Sequence, residues 1–102
     1  MFYKEYLDLV KDKDITTYKL VAAVEMNYFL EGENYNYTDE DFELMCEFVY
    51  EYFVDQDDNV STPSAIAYEL KEILFEDELF DIKNIKTQWW YIQEEMRKRL
   101  GE

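Results

Sequence analysis

A chain of 102 residues with 25 acids, 10 bases, no histidine and a formal charge of −15 is long enough for one domain with a modest core. It is too negative to seek nucleic acid or an anionic membrane directly. Low hydrophobicity at this charge would mean disorder, but 48% of the residues are apolar, 19% are aromatic, and there are two Gly and one Pro, so a folded domain is expected.

The pattern predicts an all-α, single-domain bundle of about five helices spanning residues 1–102. The first helix is expected over Phe2–Lys11, where Tyr3, Tyr6, Leu7 and Val10 share one helical face. The second runs from Thr16 to Leu30, with Asp14 or Thr16 as cap and Gly32 as stop. From Leu20 onward it is apolar nearly all round, which predicts a central, largely buried helix. The connector Glu33-Asn34-Tyr35-Asn36-Tyr37 alternates in a way that allows a short extended stretch. The third helix, Asp39–Val54, starts at a Thr38 cap with acids in its first turn. It carries an apolar stripe of Phe42, Met45, Cys46, Val49 and Phe53. Thr62-Pro63 opens the fourth helix, whose core face is Ile66, Leu70, Ile73 and Leu74. A frayed end or bend is expected at 75–81, because acids there oppose the helix dipole. The last helix is expected over Ile82–Leu100, with Ile82, Ile85, Trp89, Ile92 and Met96 in 3-4 spacing and Gly101 as stop.

Charge is segregated along the chain. Leu20 to Ile82 holds eighteen acids and one base, Lys71, a net charge of −17, while the first nineteen residues balance and the last twenty carry +2. On the third helix Glu40, Glu43, Glu47, Glu51 and Asp55 form a row opposite the apolar stripe. Successive members four residues apart lie ~6 Å apart along the axis. Asp57 and Asp58 extend the row into the following loop.

Other motifs carry less. Asp55-x-Asp57-x-Asn59 copies the first three ligand positions of an EF-hand loop. Val60 stands where that loop turns on Gly, Pro63 interrupts it, and Ile66 replaces the bidentate Glu, so a solvated acidic loop is expected and no metal site. Ile15 to Asn27 resembles in spacing the start of a repressor-type helix-turn-helix. Glu25 falls where the turn takes Gly, and the next segment brings Glu31 and Glu33 but no base for phosphates, so core packing is expected instead of DNA binding. Without histidine there is no Ser-His-Asp or Cys-His arrangement, and Gly32 and Gly101 cannot build a phosphate loop, so no catalytic residue, no cofactor and no enzyme are expected. Cys46, the sole cysteine, excludes an intrachain disulfide and fits a reducing compartment. Met1 to Glu5 does not read as a signal peptide, and Leu20–Leu30 is too short to span a bilayer. A soluble cytoplasmic protein is therefore expected.

Solubility alone would interleave both signs of charge. A confined acidic window fits a basic surface, such as a groove built for phosphates. In composition and size the chain resembles phage or mobile-element inhibitors that mimic nucleic acid, such as anti-CRISPR and anti-restriction proteins. That resemblance is one of class, and it implies a basic nucleic-acid-binding partner, for example a nuclease of a host defence system, met in the host cytoplasm. The residues expected at the contact are Glu40, Glu43, Glu47, Glu51, Asp55, Asp57 and Asp58, with Tyr35 and Tyr37 as anchors. Two other readings stay open. One is a small assembly subunit that self-associates through Trp90 and Tyr91, because Trp89, Trp90 and Tyr91 cannot all face one core. The other is an immunity-type protein against a basic toxin.

Overall fold

The computed structural model describes residues 15–56 and 61–101. Within them the regular structure is all helical: α1 (Ile15–Leu30), α2 (Asp39–Asp55), α3 (Pro63–Lys71), a π-helical turn (Glu72–Glu76), a 3-10 turn (Ile82–Asn84) and α4 (Trp89–Leu100). The helix expected at Phe2–Lys11 lies outside the described residues, so four α-helices stand where five were expected. α1, α2 and α3 pack on one another, and α4 closes over α3.

α2 is the best-specified element. The Thr38 hydroxyl accepts from the Asp41 N–H at 3.1 Å, and the Asp41 carboxylate accepts from the Thr38 N–H at 3.0 Å. This reciprocal capping box satisfies two donors at the helix start. The buried face is Met45, Phe48, Val49, Tyr52 and Phe53. It is rotated from the expected stripe, since Phe42 and Cys46 are only half-buried. Phe48 draws the face round: its ring stacks 6.1 Å from Tyr52 and meets Trp89 edge-on at 5.0 Å. Burying a ring of that size contributes about 1.5–3 kcal/mol.

α1 departs from expectation. Ala22, Met26 and Leu30 are buried, but Leu20, Val24 and Tyr28 are 63%, 58% and 68% exposed. α2 and α3 both press on the Ala22–Met26–Leu30 side, so the opposite side has no helix against it among the described residues. An apolar circumference therefore does not mean a central helix here.

Gln56 holds the α2–α3 connection together from one side. Its amide donates to the carbonyls of Phe53 (3.2 Å) and Ser61 (3.0 Å) and accepts from the Ser61 N–H (2.9 Å). Thr62 then caps α3 through the Ala65 N–H at 3.0 Å, with Pro63 in the first turn. The loop before α2 forms no strand, as no β-structure occurs among the described residues. Its alternation serves packing: Tyr35 and Tyr37 are half-buried, and Asn34 and Asn36 are exposed.

α3 ends in an ordered wide turn. The Asp77 N–H donates to the Glu72 carbonyl at 2.7 Å, and the Leu79 N–H reaches back to Ile73 at 2.9 Å. Glu78, inside that loop, has φ +51°. A residue with a Cβ in this left-handed conformation costs about 1–2 kcal/mol. The last helix begins at Trp89, seven residues later than the spacing predicts. Asp81 caps the 3-10 turn through the Lys83 N–H at 2.9 Å and so ends the helical register early. The apolar spacing still reports burial, because Ile82, Ile85, Ile92 and Met96 are all in the core. Gly101 closes α4 with φ +77°.

Candidate functional site

The capped, 17-residue α2 presents the acidic row. Glu40, Glu43, Glu47 and Asp55 are exposed and Glu51 is partly covered; Asp57 and Asp58 lie outside the described residues. Burial, and then the charges of Glu47 and Asp55, push the Glu51 carboxyl above its ordinary range, with Lys19 pulling the other way. Acids in the first turn, Asp39, Glu40 and Asp41, face the favourable end of the dipole, whereas no base stands in the last turn beside Asp55.

Folding partly undoes the segregation of charge seen along the sequence. The bases outside the acidic window return to it. Lys83 bonds Asp41 at 2.7 Å. Arg99 gathers three carboxylates from three parts of the chain: Asp77 at 2.6 Å, Glu95 at 3.2 Å and Glu69 at 3.5 Å. Lys19 and Lys86 border the row itself. Lys19 shares a groove of about 430 Å³ with Glu43 and Glu47, and Lys86 shares another with Glu47 and Glu51. Arg97 stands across a smaller groove from Asp55. Within the window, Lys71 pairs with its neighbour Glu72 at 2.9 Å. The exposed negative surface is therefore an edged strip along α2, bordered by single cations.

Asp41 belongs to the scaffold of this strip. Burial alone would raise its carboxyl, but the Lys83 ammonium and the Thr38 groups outweigh that and hold it below the usual range. Tyr35 and Tyr37 are turned largely inward. The Tyr35 ring stacks on Phe75 at 4.6 Å and 11°, and its hydroxyl donates to Glu76. Burial first, then that carboxylate, raise the phenol well above its ordinary value. Tyr37 packs between Phe42 (6.4 Å) and Phe75 (6.1 Å). The two tyrosines thus tie the loop to α2 and to the π-helical turn. Their partly exposed edges lie at the rim of the strip's N-terminal end.

The three consecutive rings of α4 divide as the helical angle requires. Trp89 turns in to Phe48, while Trp90 and Tyr91 are each 58% exposed and meet edge-to-face at 5.3 Å. Cys46 is half-buried, and burial followed by the Glu43 charge pushes its thiol up to about 11, so it stays protonated at neutral pH. Among the described residues no group of three or more Cys, Asp and Glu side chains is placed to hold a metal ion, and Asp57 and Asn59 of the EF-hand-like run lie outside them. No helix among them is long and apolar enough to cross a membrane.

The flanking cations are what the sequence left unseen. Only Glu95–Arg99, four apart on one helix, had a local signal; Lys83–Asp41 and Arg99–Asp77 join residues 42 and 22 apart. Compared with protein-family models, curated proteins and solved structures, the chain matches none of them.

Proposed function

We propose that this protein is a stoichiometric inhibitor or adaptor that lays the acidic face of α2 on a basic, nucleic-acid-binding surface of a partner protein, in the place of the nucleic acid. The observation that supports it is the exposed row Glu40–Glu43–Glu47, continued to Asp55, on a helix fixed by its own capping box. A carboxylate every ~6 Å of axis is about half as dense as the phosphates of one strand, one per ~3.4 Å. It is regular enough to meet a line of Arg and Lys side chains. Desolvated carboxylate–guanidinium pairs would give specificity, and the net charge of −15 would speed encounter. A nuclease of a host defence system is the kind of partner that fits, and a phage or mobile element the kind of origin.

The test is competition. Full-length protein is used to capture basic nucleic-acid enzymes from a host extract, and each captured partner is then titrated with duplex DNA or RNA. Mimicry requires that binding weaken steeply with salt and that nucleic acid and this protein exclude one another. The E40K/E43K/E47K variant should lose binding while keeping its helical circular dichroism. A partner that binds equally well in high salt, or carries both ligands at once, rules the reading out.

The exposed Trp90–Tyr91 pair supports a second reading, an assembly subunit. It requires a dimer or larger species by light scattering that W90A returns to monomer.

A further inference from the structure

The turn that follows α3 frames a cleft of about 640 Å³ between the 33–38 loop and residues 74–82. Phe75 and Phe80 line it, the exposed carboxylates of Glu78 and Asp81 stand at it, and Asn34 and Asn36 complete the opposite side. One wall is preorganised, since Tyr35 stacks on Phe75 and its hydroxyl is tied to Glu76. Glu78 is held at φ +51°, a conformation glycine adopts at less cost, yet its side chain makes no hydrogen bond or ion pair among the described residues. The strain at this residue secures nothing inside the fold. Asp81 uses one oxygen, Oδ1, on the Lys83 N–H.

Aromatic walls beside carboxylates and amide oxygens suit one side chain above others. A guanidinium is planar, stacks on rings, and is bonded in pairs by carboxylates; an ammonium matches only the charge. We propose that this cleft receives an arginine side chain of the partner, stacked against Phe75 or Phe80 and bonded by Glu78 and Asp81. This inference rests on the reading that the partner surface is basic. It adds a defined pocket at the end of the molecule where the 33–38 loop leads into α2.

The test needs no partner. Full-length, isotope-labelled protein is titrated with N-acetyl-arginine amide and followed by two-dimensional NMR, with N-acetyl-lysine amide as comparison. Shifts should concentrate on the side-chain amides of Asn34 and Asn36 and on the backbone of 75–81. Arginine should bind at least about fivefold more tightly than lysine. E78Q and D81N should each weaken binding by about fivefold or more, and the double variant should abolish the shifts. E78G should lose binding while raising the melting temperature by roughly 2–4 °C, since it relieves the left-handed strain. E40K/E43K/E47K should leave the arginine shifts unchanged, so failure of the α2 reading and failure of the cleft remain separate results. Equal response to lysine, shifts spread along α2, no response at all, or unchanged binding in E78Q would each overturn the proposal.

Discussion

Replacing Arg99 with methionine should destabilise the protein by about 2 kcal/mol. The substitution keeps most of the apolar stem and removes only the guanidinium. Three contacts are lost. The 2.6 Å bond to Asp77 is charge-assisted, but Asp77 is 46% exposed, so solvent reduces it to ~1 kcal/mol. The Glu95 contact is an i,i+4 helical pair, worth about 0.3–0.5 kcal/mol. The longer Glu69 contact, with both side chains less than one quarter exposed, adds ~0.5 kcal/mol. Urea denaturation measures the sum as a shift in midpoint at unchanged slope. Thermal melting should fall by roughly 8–16 °C, at 4–8 °C per kcal/mol. Part of the cost is repulsion among the three carboxylates left behind. The difference from wild type should therefore shrink in 1 M salt, where the Debye length is ~3 Å. In a D77N background R99M should cost measurably less than it does alone. A loss below ~0.5 kcal/mol, or a loss untouched by both salt and D77N, would show that Arg99 packs at this position without balancing charge.

Three further outcomes follow from the same surface. D41N should cost ~1 kcal/mol through the capping box, since D41N leaves only an amide to accept from the Thr38 N–H and to meet Lys83. Because the native Asp41 carboxyl lies below its unfolded value, its contribution is fully present above the ordinary carboxylate pKa of ~3.9. It is lost as the pH falls through the lower native value, so urea midpoints of wild type and D41N should converge in acid. Glu51 has the opposite sign. Its native carboxyl is raised, so ionising it costs stability as the pH rises through its unfolded and then its native value. E51Q, which removes two like-charge i,i+4 neighbours, Glu47 and Asp55, should be more stable than wild type by about 0.4–1 kcal/mol at neutral pH and indistinguishable from it in acid. Y35F removes the bond to Glu76 but keeps the stack on Phe75, and should cost ~0.5–1 kcal/mol. Ultraviolet titration should show one tyrosine ionising late in wild type and none so late in Y35F.

The sequence was most legible where local chemistry decides. The caps at Thr38 and Thr62, the stop at Gly101 and the split between Trp89 and its two neighbours all follow from side chains within four residues of the effect. The acidic row was legible for the same reason, being a property of one helix. α1 was not, because an apolar residue such as Val24 reads the same whether or not a neighbour covers it. The start of α4 was misplaced because Ile82, Ile85 and Trp89 fit both a helix and a 3-10 turn followed by a helix, and the Asp81 cap decides between them. The cations beside the row, and the cleft at Glu78, arise from segments that meet only in the folded chain.

The return of Lys83 and Arg99 to the acidic window also sets an order of events at the ribosome. Synthesis proceeds at roughly 5–20 residues per second, so the polyanionic stretch emerges roughly one to four seconds before the last twenty residues are added. During that interval Asp41 has no ammonium to bind, and Glu69 and Asp77 have no guanidinium. Self-repulsion should keep the nascent chain expanded and open to proteases until α4 is released. The final helix then acts as a latch, and a stalled chain ending near residue 82 should remain unfolded.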